Sequence, residues 1–520
     1  MQNNSPRTLG HGAPAGLPAW LTLATLLSSA LPAAAQGQDA AGPGPSRTWA
    51  LEPSVSLRQT FTDNRSLQTV KDSDSITEAS AGLRLRGTSG RLRGFLDYSL
   101  TGSAYARKND ANDLRHFLSA NGTAELIEGQ AFIDVRGSYA RQAISAFGTQ
   151  SPTPGLTESN QSDVVSASVS PYVRGRFAGV VRYEARLTHE VTRAKNTDAG
   201  DGENSNALLH LDGGGSGAPL GWSADATHNT SDYRTGRRTF DSRARAGLSY
   251  IVNSDLKLGI SAGTERTDLR TLDAESNATY GVRAEWTPTD RTLLSAEAEK
   301  RFFGTAHSVR FTHRTPITVW TFSDSRDVSN TSAQGTAAFG SAYDLFFRQF
   351  ASVEPDAVKR DILVRNLLQA NNINPNTVVV GGFLSSAATL QREQTASFAL
   401  VGARNTVTLQ YSNTRRERAD KLTTVIDDLS SAQDVHQRGL ALDWAYRLTP
   451  QSTINLTGGY QRSEGTLSGQ RTTLKTIIAT WTSMLGPRTN IYAGARHAIF
   501  DSTTTPYDES ALFAAVRWSF

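Results

Sequence analysis

Ten arginines fall at every second position of apolar stretches: Arg58, Arg84, Arg86, Arg93, Arg136, Arg182, Arg186, Arg243, Arg245 and Arg283. Asp97, Asp134, Glu184, Asp225, Glu285 and Asp443 share that placement in smaller number. A guanidinium grips carboxylates and phosphates through paired N–H donors without changing its protonation. A surface with such an arginine surplus attracts polar or anionic solutes, acidic polysaccharide among them. The same groups could instead pair across neighbouring strands and hold a wall in shape, and the sequence leaves both readings open.

Covalent chemistry finds no such foothold. His189-Glu190 lacks the second His of a zinc-protease helix, and neither a Gly-x-Ser-x-Gly elbow nor a P-loop occurs. Asp198–Asn206 (DAGDGENSN) misses EF-hand spacing and reads as a solvated loop. Gly213, Gly215 and Gly217 lie in a turn rather than opening a helix, which removes a dinucleotide reading. With 0 Cys there is no thiolate metal site, cysteine nucleophile or disulfide framework. The expectation is a protein that is not an enzyme, with no catalytic residue, cofactor site or metal site.

The elements that carry the arginines are strands. Leu51, Pro53, Val55, Leu57 and Phe61 lie on one face of the first, opposite Glu52, Ser54, Ser56, Arg58 and Thr60. Leu83 and Leu85 oppose Arg84 and Arg86, and Val181, Tyr183 and Leu187 oppose Arg182, Glu184 and Arg186. The pattern runs to Leu512, Ala514, Val516, Trp518 and Phe520. A soluble sandwich would turn the apolar face to a core, a transmembrane barrel would turn it to lipid. Length decides, because soluble strands average about 5–6 residues and tilted membrane strands need about 9–11; these reach or exceed the second figure. Connections alternate too. Short turns such as Gly87–Gly90, Arg174–Arg176 and Gly486–Arg488 take turns with longer polar loops such as 143–161, 325–390 and 416–435, the signature of an outer-membrane barrel. The expected fold is all-β, a closed antiparallel transmembrane β-barrel of about 22 strands (20–24 as the range), with short periplasmic turns, long extracellular loops and one helical loop insert.

Composition agrees. Of 520 residues 38% are hydrophobic, and 43 Gly accompany a net charge of only +4. That balance is too small and dispersed to point to nucleic acid, and no apolar 20-residue helix occurs beyond the N-terminus. Residues 1–35 read as a signal peptide: Arg7, the apolar run Leu17–Leu31, then Ala33 and Ala35 at the positions a signal peptidase requires. A membrane anchor is the competing reading of that run. Residues 36–48 follow as a Gly/Pro/Ala linker, leaving 49–520 as the barrel with an insert at 326–390. Within the insert, Val358, Ile362, Leu363 and Leu367 share a helical face after Pro355. Segment 341–385 is expected either to pack inside or across the barrel as a constriction or to form an external cap.

The last strand, ending in Trp518 and Phe520, resembles the C-terminal signature by which the bacterial barrel-assembly machinery accepts its clients. Beyond this, Arg301-Phe302-Phe303-Gly304, His313-Arg314-Thr315-Pro316 and Ser325-Arg326-Asp327-Val328 resemble the signature stretch of the PEP-CTERM system-associated outer-membrane protein family. Gly402–Thr406, Arg415-Arg416-Glu417 and Thr62-Asp63-Asn64 fit it as well. The resemblance spans the mature chain and implies a Gram-negative outer membrane and an exosortase- and exopolysaccharide-linked pathway, and it supplies no site residues. The functional expectation is a porin-like barrel in outer-membrane lipid that passes or guides a hydrophilic solute such as exopolysaccharide, in contact with polysaccharide export components. Alternatives are a nutrient-uptake porin and a sealed structural or adhesion barrel. A TonB-dependent transporter, which needs an N-terminal plug of about 130–150 residues, is a poor expectation for a chain whose first strand is read as beginning near residue 49.

Overall fold

Alternation of side chains becomes a wall only when strand pairing closes on itself, and here it does. The computed structural model describes residues 49–107, 112–153, 156, 159–214, 218–330 and 382–520, with 333–334, 340–341, 343, 347, 360–361, 364 and 378–380 between the last two. Twenty-two strands make the wall. They are β1 (Trp49–Thr62), β2 (Asp74–Ser89), β3 (Leu92–Tyr105), β4 (Asp113–Ile127), β5 (Ala131–Ala143), β6 (Gln161–Phe177), β7 (Val181–Ala194) and β8 (Gly202–Gly213). The ring continues with β9 (Leu220–Tyr233), β10 (Thr239–Ile251), β11 (Leu256–Thr267), β12 (Glu275–Thr289), β13 (Thr292–Arg301), β14 (Gly304–Arg314) and β15 (Thr318–Ser329). It ends with β16 (Thr389–Val401), β17 (Asn405–Arg418), β18 (Asp434–Thr449), β19 (Ser452–Gly465), β20 (Arg471–Gly486), β21 (Thr489–Ser502) and β22 (Tyr507–Ser519).

Each strand pairs antiparallel with the next, and β1 pairs with β22 from Ser54↔Ser519 to Thr62↔Ala511. No edge is left, as backbone N–H and C=O groups in hydrocarbon require. At roughly 4.8 Å between strands and a tilt near 40°, a ring of this size is about 44 Å across its backbone.

Outward positions are apolar. Leu51, Val55, Leu57, Phe61, Val282, Leu440 and Leu512 stand exposed on the outer surface. Trp222, Trp286, Trp320, Trp444, Trp481 and Trp518 are also exposed, each near the short-turn end of its strand, and form the aromatic girdle of one membrane interface. The chain is a transmembrane β-barrel of the outer-membrane type.

Three details depart from expectation. Strand β15 persists to Ser329 and β16 starts at Thr389, so the segment outside the wall is 330–388 rather than 326–390. Arg174-Gly175-Arg176 is the end of β6, not a turn; the chain reverses at Ala178 and Gly179, both at positive φ (49° and 74°). The third concerns where charge lies. Beside the inward charges, β15–β20 carry a set of outward-facing charged side chains near their loop ends. The signal peptide with Ala33 and Ala35, the 36–48 linker and most of the insert helix fall outside the described residues.

Candidate functional site

Strand register places every arginine and carboxylate singled out in the sequence on the lumen face. Arg58, Arg84 and Arg86 lie on the inward row of β1 and β2, and Arg93 and Asp97 on that of β3. Asp134 and Arg136 lie on the inward row of β5, and Arg182, Glu184 and Arg186 on that of β7. Asp225, Arg243 and Arg245 share theirs across β9 and β10, Arg283 and Glu285 lie on β12, and Asp443 on β18.

Most of these groups are paired along the wall. Glu52 bridges Arg86 (2.6 Å) and Arg84 (3.7 Å), and Arg84 continues to Asp97 (3.2 Å). Arg186 joins Asp134 (2.8 Å) to Glu184 (3.0 Å) with its guanidinium 3.7 Å from the centre of the Tyr172 ring. Arg245 reaches Asp225 (3.2 Å), Glu297 (2.5 Å) and Glu299 (3.7 Å), and Arg243 also bonds Glu299 (3.0 Å). Arg58 lies 3.8 Å from Glu78, and Arg182 pairs with Asp212.

The densest knot was not legible beforehand. Buried Arg301, inward on β13, is held by Glu265, Asp327 and Asp241. Its signal was the alternation of Glu297, Glu299 and Arg301 with Ala296 and Ala298. The buried pair Arg496–Glu509, bonded at 2.6 and 3.0 Å, is a second such element.

Not all the arginines are so held. Among the described residues, Arg93, Arg136, Arg176 and Arg283 have no ion-pair partner, and Arg174 lies 4.6 Å over the Phe132 ring. These five occupy the half of the lumen nearer the short turns, and Arg136, Arg174, Arg176 and Arg283 are exposed. The inner chamber is therefore wet and positively charged, with Glu285 its exposed counterweight.

The opposite end is closed. Residues 382–388 leave the wall before β16 and cross the mouth, with Phe383 to Ala388 at most 1% exposed. Phe383 pairs with Ala143 at the end of β5, and Phe383–Leu384 pair antiparallel with Ala333–Gln334. Gly200, in the β7–β8 loop, donates its N–H to Ser386 Oγ at 3.0 Å. At φ +82° and with Leu384 against it, Gly200 has neither the conformation nor the room for a side chain.

A short helix completes the seal. Helix α1 (Asp428–Ala432) starts in a capping box: Ser430 N donates to the Asp427 carboxylate, and Asp427 N donates to Ser430 Oγ. That start presents Asp428 to the β5–β6 loop, where it accepts from Ala146 N (2.6 Å) and Ser145 Oγ (2.8 Å). Burial nevertheless pushes the Asp428 carboxyl upward, against those bonds. Around it Ala146, Phe147, Phe383, Leu429, Ala432 and Val435 form one apolar cluster. Strands β5 and β18 are nine apart around a ring of 22, so this cluster spans nearly the full mouth.

A second cluster, Leu269, Ala388, Leu390 and Ala419 with Phe302 and Phe303, packs the β11–β12 and β13–β14 connections against the start of β16. Arg237 reinforces it, bonding Asp268 (3.2 Å) and Asp420 (3.1 Å). Of the Asp198–Asn206 segment, 202–206 belong to β8 rather than to a loop, and its carboxylates are spoken for: Asp198 and Asp201 lie near Arg234 (3.2 and 3.4 Å) and Glu203 pairs with Arg193 (2.6 Å).

Of segment 341–385, positions 382–385 lie across the mouth. Residues 343, 347, 360, 361 and 364 are helical, with Tyr343, Asp361 and Val364 buried, and Val378–Val380 pair antiparallel with Gly340–Ser341; the rest lies outside the described residues. At the chain's end, Trp518 points outward beside Val55 and Phe520 N donates to Pro53 O at 3.0 Å.

No family model matches the chain, and no curated protein does. Among solved structures it is similar to the FrpB iron transporter of Neisseria meningitidis, at 11% identity and a TM-score of 0.46 over 92% of this chain and 82% of that one. It is also similar to the siderophore receptor PirA of Acinetobacter baumannii (8% identity, TM-score 0.43, 90% of this chain and 80% of that one). The ferric preacinetobactin receptor BauA of the same organism matches at 12% identity and a TM-score of 0.44, again over 90% and 80%. Likeness at this level says nothing of what the chain carries.

Proposed function

We propose that this barrel is a gated outer-membrane conduit for hydrophilic solutes of net negative charge. One observation carries the reading: a single lumen joins a positively charged inner chamber to a mouth sealed by 382–388 and the loops around it. Arginines without carboxylate partners attract anions, and a hydrated chamber lets them pass without desolvation. A seal assembled from loops at the outer end is met first by a solute arriving from outside, which favours nutrient uptake. The inner arginines are met first by a solute leaving the periplasm. That favours a second reading, export of an acidic exopolysaccharide, in keeping with the resemblance to the PEP-CTERM-associated family and with polysaccharide export components as partners. Recognition of the terminal strand with Trp518 and Phe520 by the barrel-assembly machinery belongs to the same proposal.

Planar-bilayer recording of the refolded full chain tests it. Brief, infrequent openings with anion over cation selectivity are expected. A steady cation-selective current would contradict the proposal, and complete silence under every voltage and solute would favour a sealed structural barrel. Radiolabelled glucuronate oligomers offered on one side of proteoliposomes then separate entry through the mouth from exit through the chamber.

A further inference from the structure

The outer surface of the wall is not uniformly apolar. On β15–β20, register turns Arg392, Arg415, Arg438, Arg462, Arg471 and Lys475 outward, with Arg326 at one edge. The other sixteen strands together turn four cations outward, Arg141, Arg193, Arg266 and Lys300. Two of those four are ion-paired, Arg141 with Asp113 and Asp163 and Arg193 with Glu203.

Position along the wall fixes what this patch faces. On β18 the outward side chains run Leu448, Tyr446, Trp444, Leu442, Leu440, then Arg438, His436 and Asp434. Eight residues from Leu448 to Leu440, at about 3.4 Å each and a tilt near 40°, cover roughly 21 Å of membrane depth, close to the ~25 Å apolar band of such barrels. Arg438 therefore stands at the outer edge of the hydrocarbon, on the side of the long loops. Its neighbours in register are Asn413 and Arg462. One residue pair further out lie Arg392, Arg415, His436, Glu464 and Arg471 in a single row across five strands. Tyr411, Leu440 and Tyr460 line the row beneath, level with Lys475.

Four carboxylates pair with five of these seven cations, Lys475 among them at 3.6 Å from Asp501, and leave cations in excess on this face. Asp324 holds Arg392 (2.7 Å) and accepts from Gln394 (2.8 Å); Asp434 holds Arg415 (2.6 Å); Glu464 pairs with Arg462 and lies 3.6 Å from Arg471. Among the described residues Arg438 contacts the His436 ring, at 3.4 Å, and no carboxylate. Arg415, Arg471 and Lys475 remain more than half exposed. Guanidinium groups facing lipid at the interface, above aromatic rings, suit phosphate esters on a lipid whose acyl chains lie against the apolar band below.

We propose that this face binds the phosphorylated sugar headgroup of an outer-leaflet glycolipid of the lipid A class. The inference rests on the barrel and its outward register, not on what the lumen carries. Native mass spectrometry of the full chain refolded in detergent tests it, with bisphosphorylated lipid A, its dephosphorylated form and phosphatidylglycerol as probes. An adduct is expected with the bisphosphorylated lipid, surviving millimolar inorganic phosphate and losing at least tenfold in occupancy in R415Q/R438Q/R462Q. A control variant on the other strands, R193Q/R266Q/K300Q, should bind as the parent does. Arg438→Gln alone, which breaks no ion pair, should lower occupancy about threefold and keeps the test open if the triple variant fails to show the heat-dependent gel shift of a folded barrel. Equal adducts from the dephosphorylated lipid or phosphatidylglycerol, displacement by inorganic phosphate, or equal loss in the control variant would each overturn the proposal.

Discussion

The two halves of the lumen use the same residue type to opposite ends. Toward the mouth, Arg301 and Arg496 are buried and saturated by carboxylates, and they fix the wall beneath the loops that close it. Toward the short turns, Arg136, Arg176 and Arg283 are exposed and, among the described residues, form no ion pair. What separates structural from functional arginine here is the placement of acidic partners one or two strands away. An inward-facing guanidinium is a clasp where carboxylates close on it, as at Arg301 and Arg496, and an anion-attracting group where it stays exposed without an ion pair, as at Arg283 even though Glu297 lies opposite it in register.

Excising 331–388 and rejoining β15 to β16 by a short turn breaks the comparison most strongly. With the crossing segment gone, single-channel conductance should rise at least tenfold and become steady; an unchanged current would mean that the mouth is closed by something other than this segment. Next in size, Arg301→Ala leaves Glu265 and Asp241 buried without their partner and should cost about 3–5 kcal/mol. Arg136→Ala, in water, should stay within about 0.5 kcal/mol. Urea unfolding in lipid vesicles reads both, and similar losses would erase the distinction between the halves. In the excised background, R136Q/R176Q/R283Q should lower the anion-to-cation permeability ratio about two- to fivefold, measured as a reversal potential under a KCl gradient.

The smallest effect concerns pH. Burial raises the Asp428 carboxyl above the ordinary aspartate value of 3.8, so the folded clasp binds a proton more readily than the unfolded chain does. The stability it contributes is present below that ordinary value and is lost as pH rises through the raised one. Hydrogen exchange at 144–150, corrected for intrinsic rate, should accordingly show less protection at pH 7 than at pH 4. Asp428→Asn should flatten the difference, and a rise in protection with pH would contradict the assignment.

Much of this architecture was legible in the sequence because a strand has period two. Once Leu83 and Leu85 face lipid, Arg84 and Arg86 have one place to point, and the alternation of short and long connections counts strands to 22. Arg174-Gly175-Arg176 misled because a Gly between two charges looks like a turn, whereas the reversal needed the two positive-φ residues just beyond it. The seal was harder to see. Phe383-Leu384-Ser385-Ser386-Ala387-Ala388 has no periodicity, and its partners Ala143, Gly200 and Leu429 come from the end of β5, the β7–β8 loop and α1, 46 to 240 positions away in the chain. Outward charges on β15–β20 were missed for a related reason: charge on a strand was read as lumen-facing, a rule that fails where the strand rises past the hydrocarbon.

A chain without cysteine allows the sealed mouth to be probed directly, one introduced thiol at a time. Whole cells carrying Ser386→Cys or Thr504→Cys, the latter on the exposed β21–β22 loop, are treated with a membrane-impermeant maleimide. Thr504→Cys should label within minutes and Ser386→Cys should stay unlabelled until the outer loops are opened by excision of the β5–β6 loop. Labelling of both at one rate in the intact barrel would show that the mouth stands open.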